Sequence, residues 1–364
     1  MRLFSVFLVL VCLANYSFGQ KIKLKTPFKY IQHSDDFELY ENGIYCAGYS
    51  FNTALNDGNS SDAYIEKYDK ETLKLQWSTK INNKYSNKVN AIIGHNNKLY
   101  ALVTQGKIQP LTQDVYLCLY TLNLNGEIED TVHVGKSFSR TTHFVKSGDL
   151  LVFGYQISDG IRYSSKSYSV IARFNTSTKK LDKFKSVHYI SGADKILVNK
   201  TDYYLFGQYI EPNLPNVLVC KNGKLSEIHI KHKLSEYFID SYISDSILTI
   251  VCVFPGTYEN KSQYLRYYYM NLNTKVITNK TIPYKNYGWS EIRFDAYSIG
   301  SSTWVIVEEA ETEKLKYVQI DNKGTVLSSF EYQDGNGYAE NFILENNLLI
   351  NESKGRIMIM NYKE

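Results

Sequence analysis

The sequence predicts an all-β chain built from repeated four-stranded antiparallel units. Three observations carry that expectation. One apolar strand motif recurs seven times, its copies beginning at Ile44, Leu99, Leu150, Tyr203, Ile247, Trp304 and Leu348, 44 to 57 residues apart. The chain carries 32 Tyr and 17 Phe, with Val, Ile and Thr in short runs, and these residue types fit pleated, half-buried strands. No stretch sustains the period of an amphipathic helix. A repeat of this length cannot bury its own faces and must stack on its neighbours.

The first twenty residues stand apart. Arg2 gives a positive start, Leu3 to Ala14 is an apolar run, and Ser17-Phe18-Gly19 places small residues where a signal peptidase cuts. The segment 1–20 reads as a secretory signal peptide. Its apolar run is shorter than the ~20 residues a spanning helix needs, and no later segment is apolar enough to cross a bilayer. Residues 21–364 are expected to form one domain, secreted or held in the periplasm or at the cell surface, since closed β architectures exceed the usual domain length as single units. Removing Arg2 takes the formal charge from +4 to +3. The charges are interspersed with no basic block, which excludes a nucleic-acid partner. Of the five cysteines, Cys12 lies in the leader. Cys46, Cys118, Cys220 and Cys252 each sit inside an apolar strand, where Cys behaves as a small hydrophobe. No CxxC or Cys/His cluster suggests a metal.

Each unit follows one plan. In the first, a short inner strand leads to Ile44-Tyr45-Cys46-Ala47-Gly48-Tyr49. The alternating strand Ala63-Tyr64-Ile65-Glu66-Lys67-Tyr68 follows, then a polar turn at Asp69-Lys70-Glu71-Thr72 and an outer strand through Trp77. Equivalent turns stand at Asn123 to Gly126, Asn175 to Thr178, Asn222-Gly223, Asn271 to Thr274 and Asp321 to Gly324. Asn, Asp and Gly suit them because they tolerate positive φ and bond to nearby backbone. A four-stranded unit of ~40 to 50 residues is a propeller blade. Six complete units run from about Asp35 to Tyr332. The seventh, from near Tyr338, has three strands and ends at Met360. The segment Ile22 to Phe28 is expected to supply its missing outer strand. The fold class expected is therefore a seven-bladed β-propeller with four-stranded antiparallel blades, its ring closed by the N-terminal strand in the last blade, which protects sheet edges.

The first unit, from Gly43 to Tyr49 through Asp62-Ala63-Tyr64-Ile65-Glu66-Lys67 to Trp77, resembles secreted bacterial β-propeller repeats of the SBBP and delta-60 kind, whose blades carry G-x-x-x-x-G-Y … D-A-x-x-x-K. The match is partial at Phe153-Gly154-Tyr155 and Phe206-Gly207-Gln208. The stretch Asp69 to Trp77 also looks like a quinoprotein-type blade turn, except that Leu73 stands where that pattern has Gly. The resemblance implies a propeller in an exported protein and implies no reaction. There is no Gly-Gly pair of kelch type, no Trp-Asp pair and no Asp-box.

A propeller binds ligands where its inner strands begin, so the rim loops are the place to look. They span His33 to Asp36, Asn82 to Lys88, Gly135 to Arg140, His188 to Asp194, Lys231 to Glu236, Pro283 to Glu291 and Tyr332 to Glu340. They carry Tyr85, Lys88, Arg140, Tyr189, Trp289 and Tyr338, with Tyr237 and His143 just beyond. Aromatic side chains with a polar edge suit glycan faces and protein hot spots alike, and Trp289 heads the candidates. Sharper chemistry is thinly signalled. Asp57, Asn59 and Ser61 beside Gly58 alternate as calcium ligands do, but the closing Glu is missing. His229 and His232 fall on opposite faces of a strand. Asp35-Asp36, Glu291 with Asp295, and Glu308-Glu309 are carboxylate pairs of the kind a glycosidase uses. No Gly-x-Ser-x-Gly elbow, His-Glu-x-x-His motif or phosphate loop is present. The reading is an exported, noncatalytic, monomeric propeller without cofactor or metal, holding a glycan, peptide or partner protein at its channel rim. One alternative is a propeller-type glycan hydrolase or lyase, with carboxylates or a His with acidic partners at the channel mouth. Another is a structural cell-surface assembly protein.

Overall fold

A computed structural model describes residues 22–27, 29–31, 33–51, 61–81, 86–108, 113–136, 141–158, 167–186, 190, 193–207, 209–210, 216–231, 236–254, 264–283, 295–299, 302–309, 314–321, 325–333, 341–345, 348–352 and 356–361, with side chains described mainly between Lys29 and Thr281. The leader 1–20 lies outside them. Among the described residues there is no helix, and so none long and apolar enough to cross a membrane.

The strands open with β1 (Ile22–Pro27). A first sheet follows: β2 (His33–Tyr40), β3 (Gly43–Phe51), β4 (Ser61–Asp69) and β5 (Leu75–Ile81). The second holds β6 (Ser86–His95), β7 (Lys98–Ile108), β8 (Gln113–Asn123) and β9 (Ile128–Lys136). The third holds β10 (Val145–Ser147), β11 (Leu150–Ser158), β12 (Ser167–Asn175) and β13 (Leu181–Lys185). The fourth holds β14 (Ala193–Asn199), β15 (Asp202–Gly207), β17 (Val217–Lys221) and β18 (Lys224–Ile228), and β16 (Tyr209–Ile210) leaves it for the next sheet. The fifth holds β19 (Glu236–Ser244), β20 (Ile247–Phe254), β21 (Tyr264–Asn271) and β22 (Ile277–Pro283). The sixth holds β23 (Asp295–Ile299), β24 (Ser302–Glu309), β25 (Lys314–Asp321) and β26 (Val326–Gln333). In the last, β27 (Asn341–Glu345), β28 (Leu348–Glu352) and β29 (Arg356–Asn361) are joined by β1, with Lys25 opposite Met358 and Thr26 opposite Ile357. All pairings are antiparallel.

The apolar motif forms the second strand of each sheet, and in the first five sheets it is buried on both faces. In β7, Leu99, Ala101 and Val103 pack with Tyr45, Ala47, Ile65 and Ile81 of the first sheet. Tyr100 and Leu102 pack with Phe153, Tyr155 and Phe174 of the third. Alternate residues of one strand thus serve alternate neighbours, which is why the run reads as continuously apolar. The core lies between sheets rather than within any one of them. Gly94 marks how close the sheets approach, since a Cβ there would sit 2.0 Å from Tyr40 Cγ. All four described cysteines are buried thiols outside any disulfide.

Two features differ from the expectation. The fifth sheet has a fifth strand: β16 pairs with β19, Tyr209 opposite Tyr237 and Ile210 opposite Glu236. It covers an edge that would leave backbone groups unpaired. The inner strands also begin earlier than expected. His33 to Asp36 lie in β2, Ser86 to Lys88 in β6 and Glu236 in β19, none of them in loops. The cause is a recurring β-bulge. Register shifts occur between Ser34 and Asp36, Val89 and Ala91, Ala193 and Lys195, and Phe238 and Asp240. In the third sheet, Thr141 bridges Tyr155 while Val145 pairs with Val152, the same one-residue excess. An extra residue breaks the two-residue alternation by which a strand is recognised.

Candidate functional site

The bulges bring a set of polar side chains to one level. Asp36, Ala91, His143, Lys195 and Asp240 each stand four residues before the end of their inner strand. Asp36 Oδ1 accepts from the Phe37 N–H at 2.9 Å, and Oδ2 accepts from the Ile92 N–H of β6 at 2.7 Å. His143, just ahead of β10, brings Nδ1 to 2.9 Å from Asp36 Oδ1. One carboxylate thus ties β2 to β6 and to the segment just ahead of β10. Two residues on, Glu38 Oε1 accepts from the Gly94 N–H at 3.0 Å and lies 3.4 Å from Lys146 Nζ. Burial raises the Glu38 pKa, while the Lys146 charge and the Gly94 N–H oppose that rise. These carboxylates supply the acceptors that an edge strand lacks. Asp240 repeats the device, accepting from the Ser241 N–H at 2.7 Å and pairing with Lys195 of β14.

Above this level, at the end of the sheets where inner strands begin, aromatic rings emerge. On the face of β3 turned to the second sheet, Tyr45 and Ala47 are fully buried, Tyr49 is half-buried and Phe51 is 45% exposed. His33, opposite Tyr49 in register, stacks on it with centroids 5.0 Å apart and meets Phe51 edge-on at 5.2 Å. Lys88 of β6 places Nζ 5.1 Å from the Tyr49 centroid and 2.8 Å from Asp35 Oδ1. The two sheets are pinned here, with Ser61 Oγ 2.7 Å from Ser86 Oγ and donating to the Asn87 carbonyl at 2.9 Å. On the other face of the first sheet, Tyr30 stacks on Tyr64 at 5.6 Å. Buried Glu66 accepts from the N–H groups of Lys29 at 3.2 Å and Tyr30 at 2.6 Å, and from the Tyr68 hydroxyl. That carboxylate fastens the chain arriving from β1.

Of the rim residues singled out from sequence, Lys88, His143 and Tyr237 are described. His143 is exposed and paired with Asp36. Tyr237 lies on β19, opposite Val253, and is 42% exposed. Its neighbour Glu236 is buried, accepts from the Tyr268 hydroxyl at 2.6 Å and pairs with Arg266 at 3.2 Å. Arg266 in turn lies 4.6 Å over the Tyr264 ring. Trp289, Tyr85, Arg140, Tyr189 and Tyr338 lie outside the described residues, as do Asp57, Asn59, His232 and Glu291. His229 is 3.7 Å from Glu227, and Asp295, Glu308 and Glu309 fall on β23 and β24. Among the described residues no group of three His, Cys, Asp or Glu could hold a metal ion. Sequence reasoning passed over the His33, Tyr49 and Phe51 cluster. Its signal was the alternation Tyr45, Ala47, Tyr49, Phe51, which carries one face of β3 from core to rim.

No protein-family model matches the sequence, and no curated protein matches it. Among solved structures, the chain is similar to the polysaccharide lyase Uly1, with a TM-score of 0.54 and 10% identity over 95% of this chain and 93% of that one. It is similar to the β-propeller domain of the trilobed protease from Pyrococcus furiosus, with a TM-score of 0.54 and 10% identity over 93% and 95% of the two chains. It is also similar to an acylaminoacyl peptidase from Pyrococcus horikoshii, with a TM-score of 0.52 and 11% identity over 89% of this chain and 49% of that one. At such identities the likeness shows the fold alone. The protein is a β-propeller, all-β, built of four-stranded antiparallel sheets.

Proposed function

We propose that the chain is an exported, noncatalytic binding module, one ring of seven blades closed by β1 in the last, which holds its ligand at the channel mouth where β2, β3 and β6 meet. The observation that carries the reading is the His33, Tyr49 and Phe51 cluster, exposed at its tip and bordered by Lys88 and Asp35. Large rings held rigidly beside polar groups are what glycan and protein hot spots use. The sequence leads us to expect the rim candidates Trp289, Tyr85, Arg140, Tyr189, Tyr338 and Tyr237 to extend the same mouth. Export rests on the leader 1–20, and the resemblance of the first blade to secreted bacterial propeller repeats agrees with it. Ring closure is supported by the pairing of β1 with β29. The fold does not impose it, since the trilobed-protease propeller is described with an open velcro topology.

The test is binding of residues 21–364 to glycan and peptide arrays. The reading expects a ligand bound by the natural chain and weakened about tenfold or more by Phe51→Ala, the scale of one lost aromatic anchor. Val276→Ala, exposed in the turn between β21 and β22 at the opposite end of the sheets, should leave it unchanged. A ligand indifferent to Phe51 places the site elsewhere.

One observation favours a second reading. His143 ties Nδ1 to Asp36 while its side chain is 61% exposed, the arrangement of an oriented general base that substrate can reach. Uly1, a polysaccharide lyase, is among the structural neighbours. This reading expects new chain ends when polysaccharides are incubated with the protein, lost in His143→Ala while binding persists. Intact polymers after long incubation reject it.

A further inference from the structure

We infer that the mouth beside Phe51 takes a neutral pyranose unit of a glycan, an inference that rests on the rim-binding reading above. The first support is shape. Phe51 and His33 meet at 79°, and Tyr49 stands at 89° to Phe51. The cluster therefore presents a ring face beside ring edges, a corner into which the flat C–H face of a pyranose fits. A peptide partner of the usual kind asks for a deeper desolvated pocket.

The second support is charge. The seven inner strands carry three lysines, Lys88, Lys146 and Lys195, and no arginine. Each of those lysines is paired: Lys88 with Asp35 at 2.8 Å, Lys146 with Glu38 at 3.4 Å, and Lys195 with Asp240. A uronate or sulfate would have to displace a carboxylate already in place and mostly buried, and stripping such a group of its partner is costly. A neutral sugar meets no such competition. The Lys88 and Asp35 pair sets a donor and an acceptor side by side, with Lys88 Nζ over the Tyr49 ring. Adjacent hydroxyls, each both donor and acceptor, can engage the two together.

Calorimetric titration of residues 21–364 with neutral oligosaccharides (glucan, mannan and xylan fragments) and with oligogalacturonate and alginate fragments tests this. The inference expects a neutral fragment to bind, with less than about a twofold change in Kd between low and high salt, since no net charge is screened. Phe51→Ala should weaken it about tenfold, and Asp35→Asn should weaken it while Phe51 is intact. Circular dichroism of each variant confirms folding. Preference for the polyuronates, with affinity falling about tenfold in salt, overturns the inference and leaves the rim reading standing if Phe51→Ala still matters. Binding of peptides alone at Phe51 does the same. Binding of any ligand that ignores both variants overturns the rim reading itself.

Discussion

Asp36 accepts two backbone N–H groups, one from β2 and one from β6, and faces the imidazole of His143 just ahead of β10. Asp36→Ala leaves the Phe37 and Ile92 N–H groups without acceptors in a buried setting. An orphaned buried donor costs about 1–3 kcal/mol, so the variant is expected to lose about 2 kcal/mol or more by urea denaturation. Asp36→Asn keeps one acceptor oxygen and should lose less. His95 supplies a pH dependence. Burial lowers its pKa below 6.5, nearby Lys146 lowers it further, and Asp149 partly opposes them. A depressed histidine contributes stability that is full above the unfolded pKa and is lost as pH falls through the folded value. Stability should therefore decline from about pH 6.5 downward, and His95→Gln should flatten that decline in melting experiments. Residue-level chemistry of this kind was the least legible part of the sequence. Asp35-Asp36 stood out as a carboxylate pair, yet Asp35 binds Lys88 while Asp36 binds backbone and His143. Only the bulge between them separates those fates.

At the scale of elements, the turns between third and outer strands repeat one design. The Oδ1 atoms of Asp69, Asn123, Asn175 and Asn271 each accept from two N–H groups within the following four residues, as at Glu71 and Thr72, or Asn273 and Thr274. The sequence marked these positions correctly but not the division of labour within them. The left-handed backbone falls four residues later, on Leu73, Lys179 and Lys275, at φ of 53°, 60° and 62°. Leu73 holds the place where a quinoprotein-type turn has Gly, and it is buried there, so its packing offsets the strain. Lys275 is exposed and has no such return. Lys275→Gly is expected to stabilise by about 0.5–1 kcal/mol, from relief of the left-handed penalty less the added freedom of the unfolded chain. A raised melting temperature checks it. The second strands of the first five sheets were legible because both of their faces are buried. The inner strands of those sheets were not, because a bulge interrupts or just precedes each of them and their polar residues serve neighbouring sheets rather than solvent.

At the scale of the whole molecule, packing between sheets makes each unit depend on its neighbours, as when Phe206 of the fourth sheet stacks on Phe238 of the fifth at 5.2 Å. The repeat count made a propeller legible before any coordinates, since no isolated unit of this kind buries its faces. Which rim residues cooperate was beyond reach, because rim geometry depends on register and bulges that composition does not encode. The pairing of β1 with β29 adds a prediction. A chain starting after Pro27 removes β1 and exposes the β29 edge. It should unfold at lower urea than residues 21–364 and aggregate more readily. Equal stability of the two chains would mean that β1 does not close the ring.

The central claim is that ligand binding belongs to the mouth formed by β2, β3 and β6. Hydrogen–deuterium exchange of residues 21–364, with and without a saturating neutral oligosaccharide that binds, reads this directly. Slowed exchange is predicted in peptides covering His33 to Asp36, Tyr49 to Phe51 and Ser86 to Lys88, with the turns at Asp69, Asn175 and Asn271 unchanged. Protection confined to those turns, or to sheets away from the first and second, would contradict it.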